Sequence, residues 1–241
     1  MRPRLPEEHP TEPPTGYKIA HPVLSQDGTR AGFTGVSLGG ALPYGVLADA
    51  SCVYGLRHSA PHRRCDCGFH SVHERATADA LRCTAEHRTA LLLEVTVLGR
   101  YIRFERGFRH ARQRVRTATA APCGCGAVAA ALADAGWGRP GWYALAPSCP
   151  GCLRGRTSVS LAGFARLAGE GLRVVAGPAV SVARIAGDGA DGAALDVPGP
   201  AAEAALLQAR LDWFQTQPAR LGKRREGGEA GDGEGSGGGL T

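Results

Sequence analysis

Lysine is nearly missing from this chain. Only Lys18 and Lys223 occur in 241 residues, so arginine supplies 26 of the 28 basic side chains. Alanine and glycine are abundant alongside it, which is the profile of a GC-rich coding sequence. The formal charge of +6 and the pI near 9.1 therefore carry less information about nucleic-acid partners than the same values would in a lysine-rich chain. Long apolar runs are also missing. The longest, around Leu91 to Leu98, is far too short to span a bilayer, and the opening Met1-Arg-Pro-Arg-Leu-Pro has no apolar core of a signal peptide. The expectation is a cytoplasmic protein with no membrane partner. In that reducing compartment eight cysteines point to metal or redox chemistry more than to a four-disulfide secreted scaffold.

The cysteines are not scattered. Cys123-Gly-Cys125 is answered after 23 residues by Cys149-Pro-Gly-Cys152, giving four thiolates from two short chelating loops. This zinc-ribbon-like pattern suits a tetrahedral Zn²⁺, and a closed four-cysteine shell leaves no open position for substrate. Glycines at 124, 126 and 151 fit tight chelating turns. A redox reading of Cys149-Pro-Gly-Cys152 is the alternative, but Gly155 interrupts the helix that would activate the first thiol. Upstream, Cys52, His58, Cys65 and Cys67 supply three thiolates and an imidazole for a second Zn²⁺, with His62, His70, His73 and Cys83 as rivals for the fourth position. Cys83 reads better as a packed thiol. A catalytic zinc there would need a general base, and Asp66, lying between two ligands, is badly placed to serve.

Local signals divide the chain. Residues 1–16, proline-rich and without apolar period, read as a disordered leader, and the Gly/Glu-rich stretch 224–241 as a disordered tail. Residues 17–118 form a first zinc-binding module. In it, Ser71-Val-His-Glu74 is a capping box for a helix from Val72 to about His87. Leu91 to Leu98 alternates as a strand with Leu91, Leu93, Val95 and Val97 inward, and Gly99-Arg100 fits a two-residue hairpin turn. Residues 119–186 form a second, four-cysteine module. It holds a short helix from Ala127 to Trp137, a strand at Trp142 to Ala146, a helix capped by Ser160 and ended by Gly171, and a strand at Leu172 to Ala176. Residues 187–223 are a linker and a C-terminal helix over 201–217, which packs on the body or binds a protein partner. The expected class is α+β, in two small zinc-stabilised modules whose metals replace part of a core.

Seven arginines fall between Arg100 and Arg116 against one acid, Glu105, with Tyr101, Phe104 and Phe108 interleaved. Guanidinium and aromatic groups in this mixture can grip phosphate and stack bases. Arg109, Arg112 and Arg116, at helix-like spacing, are the candidate nucleic-acid contacts; ordinary strand alternation is the competing account.

The stretch His58-Ser-Ala-Pro61, Cys65-x-Cys67-Gly68, then Gly99-Arg100 and Gly107-Phe108-Arg109-x-Ala111 resembles a group of uncharacterised actinobacterial proteins with a His-x-Ala-Pro, Cys-x-Cys-Gly pattern and a Gly-Arg turn. The likeness spans about residues 50–111. It implies that Cys52, His58, Cys65 and Cys67 act as a unit and brings no activity with it. His110 stands where the group carries alanine, and His70 where it shows an aromatic. Together the readings point to a zinc-stabilised binding or scaffold protein, ahead of a nucleic-acid binder and of a zinc or thiol enzyme.

Overall fold

The structure is a computed structural model that describes residues 12–36, 42–52, 54–83 and 85–179, without the side chains of 83 and 85. Of the disordered leader expected over 1–16, residues 1–11 lie outside the described residues, as do the linker and helix expected over 187–223, the tail and the packing of Cys83; Thr15 and Gly16 instead open a strand.

The architecture is mostly β-sheet, with few helices, and this corrects the α+β expectation. Ten strands join in one sheet: β1 (Thr15–Ser25), β2 (Ala31–Gly35), β3 (Leu47–Asp49), β4 (Phe69–Val72), β5 (Leu91–Phe104), β6 (Gly107–Ala120), β7 (Ala131–Arg139), β8 (Trp142–Ser148), β9 (Ser158–Ser160) and β10 (Arg173–Ala176). The helices are α1 (Arg75–Ala80) and α2 (Leu161–Ala168). β5 and β6 form a long antiparallel hairpin. β1 pairs with β5, placing Ile19 opposite Leu92, and β4 pairs with β6, placing Ser71 opposite Phe108. Tyr17 then faces Val72, so the pairings β1, β5, β6, β4 return to β1 in a closed ring. β8 continues from the other end of β1 through Val23 opposite Ala144, carrying β7 and β9, while β10 runs parallel to β6. The boundary expected at 118/119 falls inside β6. Strands from both expected modules share the one sheet, and the described residues belong to a single compact unit.

Alternation explains the main core. Leu91, Leu93 and Val95 of β5 pack with Val115, Ala118, Leu132, Leu145 and Phe33, closed over by Phe164 of α2. Leu92 points the other way, into a smaller cluster with Ile19, Ala90 and Ala78 of α1. Covered on both faces, β5 begins with an unbroken apolar run instead of a strict polar alternation. No helix among the described residues is long and apolar enough to cross a membrane.

Three local expectations are overturned, each by a long-range contact. Ser71 lies in β4 with its hydroxyl unpartnered, and Glu74 makes no side-chain cap, so the helix is confined to Arg75–Ala80 with two single 3₁₀ turns after it. Pairing with β6 claims residues 69–72 before any cap can form. Gly99, at φ 66°, is a bulge where the ladder shifts between Leu98 and Tyr101; the hairpin turns instead after Phe104, which pairs with Gly107. Tyr101 packs edge-on to Phe108 with ring centroids 5.7 Å apart, which holds the extended part together. Ala127 to Trp137 is no helix. Its alanines favour one, but β8 and β9 flank residues 131–133 as a strand, and tertiary pairing overrides propensity.

Candidate metal centres

The first cluster is built in the connection from β3 to β4. Short backbone turns fold it: the Gly55 amide donates to the Cys52 carbonyl at 3.1 Å and the Cys65 amide to the His62 carbonyl at 3.0 Å. They bring one donor atom each from Cys52, His58, Cys65 and Cys67 within 4.8 Å of one another. Cys52 Sγ lies 3.8 Å from Cys65 Sγ, and His58 Nε2 lies 3.2 Å from Cys67 Sγ. A tetrahedral ion with metal–sulfur bonds of about 2.3 Å has sulfur–sulfur edges of about 3.8 Å, so the geometry fits a bound metal. It does not fit a disulfide, whose sulfurs sit about 2.05 Å apart. Of the rival histidines, His62 stacks on His58 with centroids 4.4 Å apart, His70 lies in β4 opposite Arg109, and the His73 Nε2 contacts the Phe104 carbonyl at 2.9 Å. None joins the cluster.

Arg109 braces this loop from below. Its guanidinium donates to the carbonyl of Cys65 and, at 3.2 Å, to that of His62, pairs with Asp66 at 3.5 Å, and lies 5.6 Å from the centre of the Phe104 ring. At 7% exposure it is a buried support. That overturns its expected place among the nucleic-acid contacts. Asp66 is engaged by the same arginine. Gly68, at φ 123°, allows the approach: a β-carbon there would stand 3.0 Å from Arg109 Cγ. Arg112 pairs with Asp49 at 3.1 Å and Arg116 Nε donates to Thr96 Oγ1 at 2.9 Å, on the opposite alternation of β6 from Arg109. The three arginines do not share a helix face.

The second cluster joins the ends of two strands that do not pair with each other. Cys123 and Cys125 follow β6; Cys149 and Cys152 follow β8. Their sulfurs lie within 4.8 Å of one another, with Cys125 and Cys149 at 3.5 Å. The Gly126 amide donates to the Cys123 carbonyl at 2.7 Å and that of Cys152 to the Cys149 carbonyl at 3.0 Å, so both loops turn tightly. Of the three glycines expected here only Gly126, at φ 87°, needs its freedom. Cys123 and Cys149 are buried, Cys125 and Cys152 exposed, and all seven described cysteines are free thiols.

Without a cation the thiols share protons unequally. Burial opposes ionisation of Cys123, but the amides of Cys125 and Cys149 and the neighbouring thiols bring its pKa to about 6. Cys152 is pushed up to about 12, first by its hydrogen bond with Cys123 and then by Cys149 and Cys125. In the first cluster burial raises Cys65, whereas Cys52 is lowered against its burial by the amides of Tyr54 and Leu56. A divalent cation removes this conflict by taking the place of the protons.

Sequence reasoning missed two features. One is the bracing role of Arg109. The other is a polar group in which buried His110 and Gln113 lie beside partly buried Lys18, Tyr44 and Phe69; its one sequence signal was a lysine in a chain that uses arginine almost everywhere else. No protein-family model matches the chain, and neither does any curated protein or solved structure.

Proposed function

We propose that this is a zinc-stabilised binding or scaffold protein, with one structural Zn²⁺ held by Cys52, His58, Cys65 and Cys67 and another by Cys123, Cys125, Cys149 and Cys152. The reading rests on two clusters of four donor atoms, those of each cluster within 4.8 Å of one another. Thiolate and imidazole sets of this kind favour zinc among the common divalent ions, and four protein donors complete its shell. A metal so enclosed holds structure instead of activating water. Metal analysis of the purified chain should return two zinc per molecule, and chelation should abolish the cooperative unfolding transition. A content near zero, or iron in place of zinc, overturns the assignment.

One observation supports nucleic-acid binding as a second reading. Arg112, Arg114 and Arg116 alternate outward along β6, and Phe104, 51% exposed, stands at the hairpin tip. Such a ribbon offers guanidinium groups to phosphate and a ring to a base. It predicts an affinity for single strands that falls steeply with salt and weakens when Arg112 and Arg116 become alanine. Absence of binding at low salt removes it.

A further inference from the structure

The two clusters meet solvent differently. In the first, Cys67 is 1% exposed and Cys52, His58 and Cys65 are half-buried, while His62 stacks on His58 and Arg109 supports the loop from beneath. In the second, Cys123 and Cys149 are buried but Cys125 and Cys152 lie open. Little shields them. Among the described residues a β-carbon added at Gly124 would meet nothing within 4 Å beyond its chain neighbours, and one at Gly151 would meet only the sulfur of Cys149, at 3.9 Å. A thiolate reacts with a small oxidant only where that oxidant can reach it, so the second cluster is the vulnerable one.

The arrangement also supplies a second sulfur. Exposed Cys125 Sγ lies 3.5 Å from Sγ of Cys149, which sits in the other loop and is buried. We propose that Cys125 and Cys149 are a site of oxidation by peroxide, which joins them in a disulfide across the two loops and frees the second Zn²⁺ while the first stays bound. The inference rests on the metal reading above, under which both sulfurs are thiolates. The Cys125 thiolate attacks one oxygen of hydrogen peroxide: a sulfur–oxygen bond forms, the oxygen–oxygen bond breaks and hydroxide leaves, giving a sulfenic acid. The Cys149 thiolate then attacks the Cys125 sulfur, the sulfur–sulfur bond forms and a second hydroxide leaves. Solvent protons turn both hydroxides into water, so two thiolates are oxidised and one peroxide is reduced. The sulfurs of Cys123 and Cys152 alone do not complete a tetrahedral shell, and the metal departs. Because the new bond crosses between the loops, the end of β6 stays tied to the end of β8 after the metal has gone.

The full chain, purified under reducing conditions and analysed for zinc, is exposed to hydrogen peroxide while released metal is followed with a chromogenic chelator. Half of the zinc should leave roughly tenfold faster than the rest, with two thiols lost per zinc, and peptide mapping without reduction should find Cys125 joined to Cys149. A dithiol reductant with added zinc should restore the starting content. Cys125→His keeps four donors but removes the exposed sulfur, and should slow release of the second zinc by roughly tenfold. If that variant does not fold, the peptide map of the parent chain decides. A zinc content near zero before peroxide is added overturns the metal reading and this inference with it. Two bound zinc that leave at equal rates, earlier loss from the first cluster, or a disulfide within either loop overturns the oxidation site and leaves the metal reading standing.

Discussion

Arg109 shows how much can depend on one guanidinium. Its planar fork reaches two loop carbonyls and a carboxylate at once, a task that the point charge of lysine cannot repeat. Arg109→Lys should therefore weaken the first metal site about 10- to 100-fold, as loss of supporting hydrogen bonds does elsewhere, and leave the four-cysteine site unchanged. Cobalt substitution followed by chelator competition separates the two, and equal loss at both sites would contradict the bracing role. Arg109→Ala should cost in addition roughly 2 kcal/mol from unmet hydrogen bonds. His110 carries a second prediction. Burial, with smaller help from Lys18, holds its pKa down to about 3 against an ordinary 6.5. Between those values the unfolded chain binds a proton that the folded chain refuses, so stability falls as pH is lowered from 6.5 towards 3. Urea midpoints at pH 7 and pH 5 should differ less in His110→Gln than in the parent. At this scale the eight candidate ligands were legible in the sequence because chelation needs short spacing, whereas Arg109 looked like any surface arginine until the loop of His62, Cys65 and Asp66 folded over it.

Among the elements, two serines carry similar local signals and meet different fates. Ser160 caps α2 by accepting from the Gly163 amide at 3.0 Å, and Ser160→Ala should cost about 1 kcal/mol in chemical denaturation. Ser71 caps nothing, because its residues are the partners of Phe108 and Gly107 in β6. A cap is decided by neighbours in sequence; a strand pairing is decided by residues far along the chain, so only the first could be read locally. The hairpin failed for the same reason. Its turn lies beyond Phe104 because β4 presses against Gly107, where a β-carbon would collide with the Ser71 carbonyl oxygen. Gly107→Ala should destabilise the fold by roughly 1–3 kcal/mol as the strands are forced apart. Gly124→Ala, with nothing within 4 Å, should leave the denaturation midpoint nearly unchanged. A neutral result at Gly107 would refute the close pairing.

For the molecule as a whole the two four-donor clusters differ in reach. The first closes a loop between β3 and β4, and the second links the end of β6 to the end of β8 across strands that do not touch each other in the ladder. Hydrogen exchange should separate them. Loss of the first site, induced through His58→Ala, should expose amides of the loop and β4, while Cys152→Ser should loosen the C-terminal halves of β6 and β8 together. Uniform loss in both variants would mean that the clusters share one cooperative unit. The two cysteine groups invited a division into two modules, and the sheet ignores it: β1 pairs with β8 and β10 with β6, contacts of a range that periodicity does not encode. The continuation of the sheet from β1 to β8 also sets a timetable. During synthesis β1 emerges early, yet the end of it that pairs with β8 stays open until Trp142–Ser148 has left the ribosome. Over that interval the nascent chain carries an unsatisfied strand edge, the feature most prone to pairing with a neighbouring chain.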